Sequence, residues 1–204
     1  MGLKINQYTN ETFDIGDLDF YDVDKNIGSG TFQSNKISGA TLKNVFTAIA
    51  EKNNGSFYSS VTQTCTSGSI AAMEFENAVY TGIGVGVVND TFGKPTLIQV
   101  SKDRVYNIAF SAQLNRTSGG SSKQITIWLR KNGTDIANTA THLTVQANQG
   151  KLVAAWNFFV DIAVGDDLQI MWSQNDNIDI LAEVADVVLP HPAVPSLILT
   201  INEI

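Results

Sequence analysis

Basic residues are scarce in this chain: 13 Lys and Arg stand against 20 Asp and Glu, giving a formal charge of −7 and a pI near 4.7. Affinity for a phosphate backbone comes from cations that release its counterions, so nucleic acid is not an expected partner. Long apolar runs are missing as well. Stretches such as Leu152 to Ala155, or Val184 to Leu189 with Asp186 inside it, fall far short of the roughly 18–20 residues that cross a bilayer, so membrane insertion by a helix is not expected. There is one cysteine, Cys65, which excludes an intrachain disulfide and a Cys-rich metal site and argues against an oxidising compartment. The two histidines, His142 and His191, lie in separate segments. No G-x-S-x-G, no H-E-x-x-H and no histidine placed to activate Cys65 is present, so nucleophilic and zinc hydrolysis lack their equipment. Met1 to Tyr8 lacks the apolar centre of a secretion signal, which points to synthesis in the cytoplasm.

What is present is enough apolar material, 43% of residues, for one generous core. The composition changes near residue 55. Before it, Glu11 to Asp24 carries six acidic residues and no basic one, followed by a Gly28-Ser29-Gly30 turn. Leu42, Val45, Phe46 and Ile49 then fall at i, i+3, i+4 and i+7, which predicts a short helix over about residues 39–52, with Ser38 as N-cap and Asn53-Asn54-Gly55 as its stop. Such a stripe has to dock on a partner, because a helix of this length is marginal alone.

From Phe57 the apolar period becomes 2. Tyr106, Ile108, Phe110, Ala112 and Leu114 alternate with polar or small residues, as do Ile125, Ile127 and Leu129, then Leu168, Ile170 and Trp172, and finally Leu197, Leu199 and Ile201. Leu152, Ala154, Trp156, Phe158 and Val160 share one side of another strand. Further strands are expected at Phe57 to Thr64, Ile70 to Tyr80, Ile83 to Val88, Leu97 to Ser101, Leu143 to Gln146 and Ile178 to Val184. Turn chemistry separates the runs at Ser118-Gly119-Gly120-Ser121, Lys131-Asn132-Gly133-Thr134 and Gly165-Asp166-Asp167. Roughly ten short strands with such turns predict an antiparallel β-sandwich or jelly roll over residues 57–204, preceded by a segment of residues 1–54.

Gly82-Ile83-Gly84-Val85-Gly86 does not match G-x-G-x-x-G, and no helix follows it. Its glycines instead leave one strand face bare, so that another backbone, a neighbouring aromatic or a symmetry mate approaches closely. Pro190 to Pro195 holds three of the four prolines and reads as a stiff connection into the last strand. Glu74 and Glu76 are expected on one strand face, and Asp166, Asp167, Asp176 and Asp179 around one hairpin. Neither group has the D-x-D-x-D-G calcium spacing, and solvated acidic faces are the default reading, with paired carboxylates for glycoside hydrolysis as the rival. No catalytic residue, cofactor or metal site is assigned. Trp128 and Arg130 fall opposite Ile127 and Leu129, on the face expected to meet solvent, which is a composition typical of a contact surface.

The order of Tyr106 to Leu114, then Ile127-Trp128-Leu129-Arg130-Lys131-Asn132-Gly133-Thr134-Asp135-Ile136, then Val153 to Asn157 and Gly165-Asp166-Asp167-Leu168, then Pro192 to Ser196, resembles the C-terminal jelly-roll domain of tailed-bacteriophage fibre and decoration proteins. That domain is similar to the heads of tumour necrosis factor and of complement. The resemblance covers about half the chain. Gly16 to Val23 and Lys36 to Leu42 resemble, more weakly, N-terminal segments of phage fibre proteins. The resemblance implies a non-enzymatic virion protein that forms a homotrimer, and the chain departs from the longer fibres in having no collagen repeat and no extended heptad shaft. Gly82, Gly84, Gly86, Trp128 and Arg130 become candidate subunit contacts. Phe13, Phe20, Tyr21, Phe32, Leu42, Val45, Phe46 and Ile49 become candidates for anchoring to another virion protein, with a host glycan or surface protein as the target of the head. A carbohydrate-binding or carbohydrate-active jelly roll acting on cell-surface glycans is the alternative.

Overall fold

The computed structural model describes the backbone of Phe20–Asn26 and Phe32–Ser38, together with Thr41, Asn44 and residues 51–204 except 119, 148, 149 and 189. The chain divides into two compact units, Met1–Glu51 and Lys52–Ile204. In the first, strands β1 (Phe20–Asn26) and β2 (Phe32–Ser38) form an antiparallel hairpin, registered from Phe20 opposite Ser38 to Asn26 opposite Phe32. Ser38, expected as a helix cap, is therefore the last residue of β2. Thr41 and Asn44 are helical, and the apolar stripe Leu42, Val45, Phe46 and Ile49 lies outside the described residues.

The second unit is a two-sheet antiparallel sandwich with jelly-roll strand order, as the alternation predicts. Its strands are β3 (Asn54–Ser59), β4 (Ile70–Ala72), β5 (Asn77–Ile83), β6 (Val85–Asn89), β7 (Pro95–Val100), β8 (Arg104–Arg116), β9 (Lys123–Lys131), β10 (Thr134–Asp135), β11 (Thr141–Val145), β12 (Lys151–Ile162), β13 (Leu168–Gln174), β14 (Ile178–Ile180) and β15 (Leu197–Glu203). One sheet runs β12-β8-β15-β3-β5, with β14 added to β8. The other runs β10-β9-β13-β7-β6, with β11 on β9 and β4 on β13.

The core lies between the two sheets. Tyr106, Ile108, Phe110, Ala112 and Leu114 of β8 face Ile125, Ile127 and Leu129 of β9 and Leu168, Ile170 and Trp172 of β13, all buried. Each fully buried large aliphatic or aromatic side chain is worth about 1.5–3 kcal/mol relative to exposure. Phe110 packs edge-on against Trp156 at a ring separation of 4.7 Å, and the two residues are cross-strand partners.

Two expectations change. Asn54 and Gly55, expected within a helix stop, open β3, and Asn53 is fully buried beside it. Its backbone N–H donates to Glu203 Oε2 at 2.8 Å, and its side-chain amide donates to Tyr106 Oη at 2.8 Å and to Gly84 O at 3.1 Å. The run Ile70 to Tyr80, expected as one strand, is two strands in different sheets, β4 and β5. Between them Met73 and Phe75 are buried, their N–H groups still donating to Ile170 O at 2.8 Å and Pro95 O at 2.9 Å, and the chain joins the other sheet only after Phe75.

The glycine run explains how the chain then changes sheets again, from β5 to β6. Gly82 and Gly84 both have positive φ, 60° and 64°. A Cβ on Gly82 would sit 1.8 Å from the Asn54 carbonyl oxygen, and one on Gly84 would sit 2.3 Å from Asn53 Oδ1. The close approach allowed by these two glycines is thus to the chain's own Asn53 and Asn54, whereas a Cβ on Gly86 would meet nothing within 4 Å. Gly82→Ala is accordingly expected to cost about 3 kcal/mol or more, since strain and backbone overlap add, while Gly86→Ala stays within about 0.5 kcal/mol. Urea unfolding of the two variants checks the contrast.

Candidate contact faces and clefts

Strand β9 and its turn carry the first group of expected site residues. Asn132 and Gly133 have φ of 51° and 76°, the pair of left-handed residues that a two-residue hairpin needs, and they join β9 to β10. Asp135 then returns beside β9 and accepts from Trp128 Nε1 at 2.8 Å and from Arg130 Nε at 2.7 Å on the same oxygen. Those two donors hold the Asp135 carboxyl below its ordinary value, Arg130 first and Trp128 second. Trp128, expected to meet solvent, is only 8% exposed. Its cross-strand partner Met171 is buried with it, so this part of the outer face is packed and not bare. Arg130 keeps 23% of its side chain exposed.

The second half of the quoted motif interlocks with the first. Asn132 Nδ2 donates to Asp166 Oδ1 at 2.6 Å, the Asp167 N–H donates to Asn132 Oδ1 at 2.8 Å, and the Asn132 N–H donates to Asp167 O at 2.9 Å. Lys131 Nζ lies 3.2 Å from Asp166 Oδ2. The residues Lys131-Asn132-Gly133 and Gly165-Asp166-Asp167 are therefore a staple between the β9–β10 turn and the turn that feeds β13.

Asp166 and Asp167 lie at one end of the seven-residue β13, and Asp176 and Asp179 lie beyond the other. At about 3.3 Å per residue the pairs are roughly 20 Å apart, so the four do not form one acidic group. Among the described residues no set of three or more His, Cys, Asp and Glu is placed to hold a metal ion.

Glu74 and Glu76 are brought together, though not on a strand: both fall in the segment between β4 and β5, alternating with the buried Met73 and Phe75. With Ser59, Thr62, Gln63 and Lys94 they line a cavity of about 300 Å³ at whose wall Trp172 also sits. Lys94 Nζ lies 2.8 Å from Glu74 Oε1. Glu76 Oε1 accepts from Ser60 Oγ at 3.1 Å and from Asn77 Nδ2 at 3.2 Å. Burial raises the Glu76 pKa, but hydrogen bonds from its own backbone, Ser59 and Ser60 outweigh it and hold the carboxyl below its ordinary value. A general acid for glycoside cleavage needs the opposite shift.

The outer face of the β12-β8-β15-β3 sheet is the surface that residue-by-residue reading overlooks. Across it run Ser56 and Tyr58 from β3, Ile198, Thr200 and Asn202 from β15, and Asn107, Ala109, Ser111 and Gln113 from β8. Val153, Ala155, Asn157 and Phe159 complete it from β12. None of these is charged, the charged outward residues of β12 being Lys151 and Asp161 at its two ends, and Val153, Phe159 and Ile198 are 53%, 67% and 39% exposed. The signal was in the outward positions of each strand, which are legible as soon as the inward ones are assigned.

Of the expected anchoring residues, Phe20 and Tyr21 lie in β1 and Phe32 in β2. Phe13, Leu42, Val45, Phe46 and Ile49 lie outside the described residues.

No protein-family model and no curated protein matches the sequence. Among solved structures the chain is similar to crystal structures of murine APRIL at pH 8.0 and pH 8.5. Identity is 8% in both, the alignment covers 76% of this chain and 100% of each of those, and the TM-scores are 0.47 and 0.45. The jelly-roll assignment stands on the strand order itself.

The staple has a pH signature. The Ala163 N–H, then the Asn132 amide and the Lys131 ammonium, draw Asp166 from 3.8 down to about 2. A depressed carboxylate contributes stability that is present above its unfolded value and lost as pH falls through the folded one. Thermal unfolding should therefore weaken between about pH 4 and pH 2 in the native chain, and less steeply in Asp166→Asn, which starts from lower stability at pH 7. A variant with the same acid slope as the native chain would remove Asp166 from the account.

Proposed function

We propose that the chain is a non-enzymatic virion structural protein, a short homotrimeric fibre or decoration protein of a tailed bacteriophage. Residues 1–54 attach to another particle protein, and the jelly-roll head is displayed for adhesion to a host surface. The observation that carries the assembly part is the uncharged outer face of the β12-β8-β15-β3 sheet. A sheet face that stays in water ordinarily alternates core residues with charged ones, and charge on exposed strands is a standard guard against association. Here the thirteen outward positions between Lys151 and Asp161, the charged residues at the two ends of β12, carry none, and short side chains such as Ala109, Ser111, Ala155 and Thr200 leave the surface low. A stable interface takes roughly 800 Å² from each partner, and a four-strand face with exposed Phe159, Val153 and Ile198 is of that kind.

Packing of this face around a closed symmetry axis gives identical copies an identical environment. The trimer, the phage origin and the virion setting are drawn from the resemblance of the quoted segments, to which the face adds a physical reason for self-association. Adhesion then gains from three linked sites through effective concentration, so each single site is free to be weak. The engaged carboxylates of Glu74 and Glu76 favour display over hydrolysis.

Light scattering of the full chain is expected to give three times 22.0 kDa. Ser111→Glu, which places a carboxylate in the middle of the face without touching the core, should lower that mass to a single chain while the circular dichroism spectrum is kept. A native chain that runs as a monomer at micromolar concentration would sink the assembly reading.

A further inference from the structure

On the outer face of the other sheet, a groove of about 440 Å³ runs between Ile70 of β4 and the loop joining β6 to β7. That loop presents Phe92 at 87% exposure. The presentation is built, because Asp90 Oδ1 accepts the N–H of Phe92 at 2.8 Å and of Lys94 at 3.0 Å, Asp90 Oδ2 accepts the Thr96 hydroxyl at 3.1 Å, and the Gly93 N–H closes on Asp90 O at 3.0 Å. A turn tied at four points fixes the backbone that carries Phe92, so stacking on the ring requires no further ordering of the loop.

The groove also contains three planar polar side chains, each fixed by a neighbour. Gln169 Nε2 donates to Thr96 Oγ1 at 2.9 Å, Asp167 Oδ1 accepts from Gln99 Nε2 at 2.7 Å, and Arg130 is held by Asp135. One end of each is engaged in these bonds, and we assign the other end, the Gln169 carbonyl, Asp167 Oδ2 and the Arg130 terminal nitrogens, to a ligand.

We propose that this groove is a binding site for a neutral hexopyranose at the end of a surface glycan. A pyranose has an apolar C–H face for Phe92 and hydroxyls that both donate and accept, which is what a lining of carboxylate, amide and guanidinium requires at once. Asp90 and Asp167 against the single Arg130 leave the lining with an excess negative charge, which disfavours sialylated, sulfated or phosphorylated sugars. An extended peptide is a poorer fit, because strand addition needs an open edge, whereas β7, β13 and β9 beneath the groove are hydrogen-bonded to their sheet neighbours. The site rests on reading the head as an adhesion module and supplies that reading with a ligand class.

The test uses the full chain on an array of immobilised glycans ending in neutral hexoses or in sialic acid, followed by calorimetric titration with the methyl glycoside of the best-bound terminal sugar. Binding to neutral-hexose ends is expected. Phe92→Ala, a change at an exposed side chain, should weaken it about tenfold, with a comparable loss for Gln169→Ala and the mass in solution unchanged. Glu76→Gln, in the separate cavity, should bind like the native chain. Absence of binding to every neutral glycan, preference for sialylated ends, or loss with Glu76→Gln but not with Phe92→Ala each overturns the site. Neutral glycan binding that survives Phe92→Ala overturns the groove but leaves adhesion standing. A trimeric mass with no glycan bound removes the ligand class and leaves the assembly reading untouched.

Discussion

Tyr106, Ile108, Phe110, Ala112 and Leu114 bury one face of β8, a strand that is hydrogen-bonded along both edges, to β12 on one side and to β15 and β14 on the other. A strand in that position has no freedom of register, since a slip of one residue turns five core side chains into water and five polar or small ones inward. β12 and β15 inherit their registers from it, and β3 inherits its own from β15. The same alternation decides the outer face. With the inward places taken by Tyr106, Ile108, Phe110, Ala112 and Leu114, Asn107, Ala109, Ser111 and Gln113 become a row of uncharged residues, and the partner strands extend that row into a plane. Core and contact face are two consequences of one period-two pattern.

The strands easiest to read were those whose neighbours are long and regular. β8, β12 and β15 follow their alternation, β9 and β13 depart from it only where Trp128 and Met171 are buried on the outward side, and the turns follow from Asn132-Gly133 and Gly165. Legibility failed where the chain leaves a sheet. Ile70 to Tyr80 is continuous in its β-propensity, yet the chain stays bonded to the β13 and β7 side through Phe75 and then pairs with β3, a decision made by what lies opposite and not by the local residues. Asn53-Asn54-Gly55 has the composition of a helix stop. The buried Asn53 amide instead serves Tyr106 and Gly84, about fifty and thirty residues away in sequence, and no local rule detects a partner at that distance.

The site residues show the same division. Trp128 beside Arg130 has the composition of a solvent-facing contact, and only Asp135, folded back by a two-residue turn, ties both to one carboxylate oxygen while Trp128 is buried. The segments that carry the resemblance form a staple: Asn132, Asp166 and Asp167 bond across two turns, which gives them a mechanical role independent of any ligand. Phe92 drew no attention in the sequence because a lone phenylalanine near a Gly and a Lys has no periodicity. Its place on the Asp90 turn is visible only when the four bonds of that turn are seen together.

The sheet change at Gly84 makes the sandwich asymmetric in its edges. β5 ends one sheet and β6 ends the other, and because they are consecutive and joined at a bent corner, neither offers a straight backbone for a foreign strand to copy. On the opposite side β12 runs for twelve residues with β8 as its sheet neighbour, so the long open backbone edge is gathered on one flank. Misassembly by strand addition, whether in crowded synthesis or during refolding, is thereby channelled to the strand that also carries Val153, Ala155 and Phe159. In the assembly proposed above, the face that Val153, Ala155 and Phe159 bring to a sister subunit belongs to that same strand.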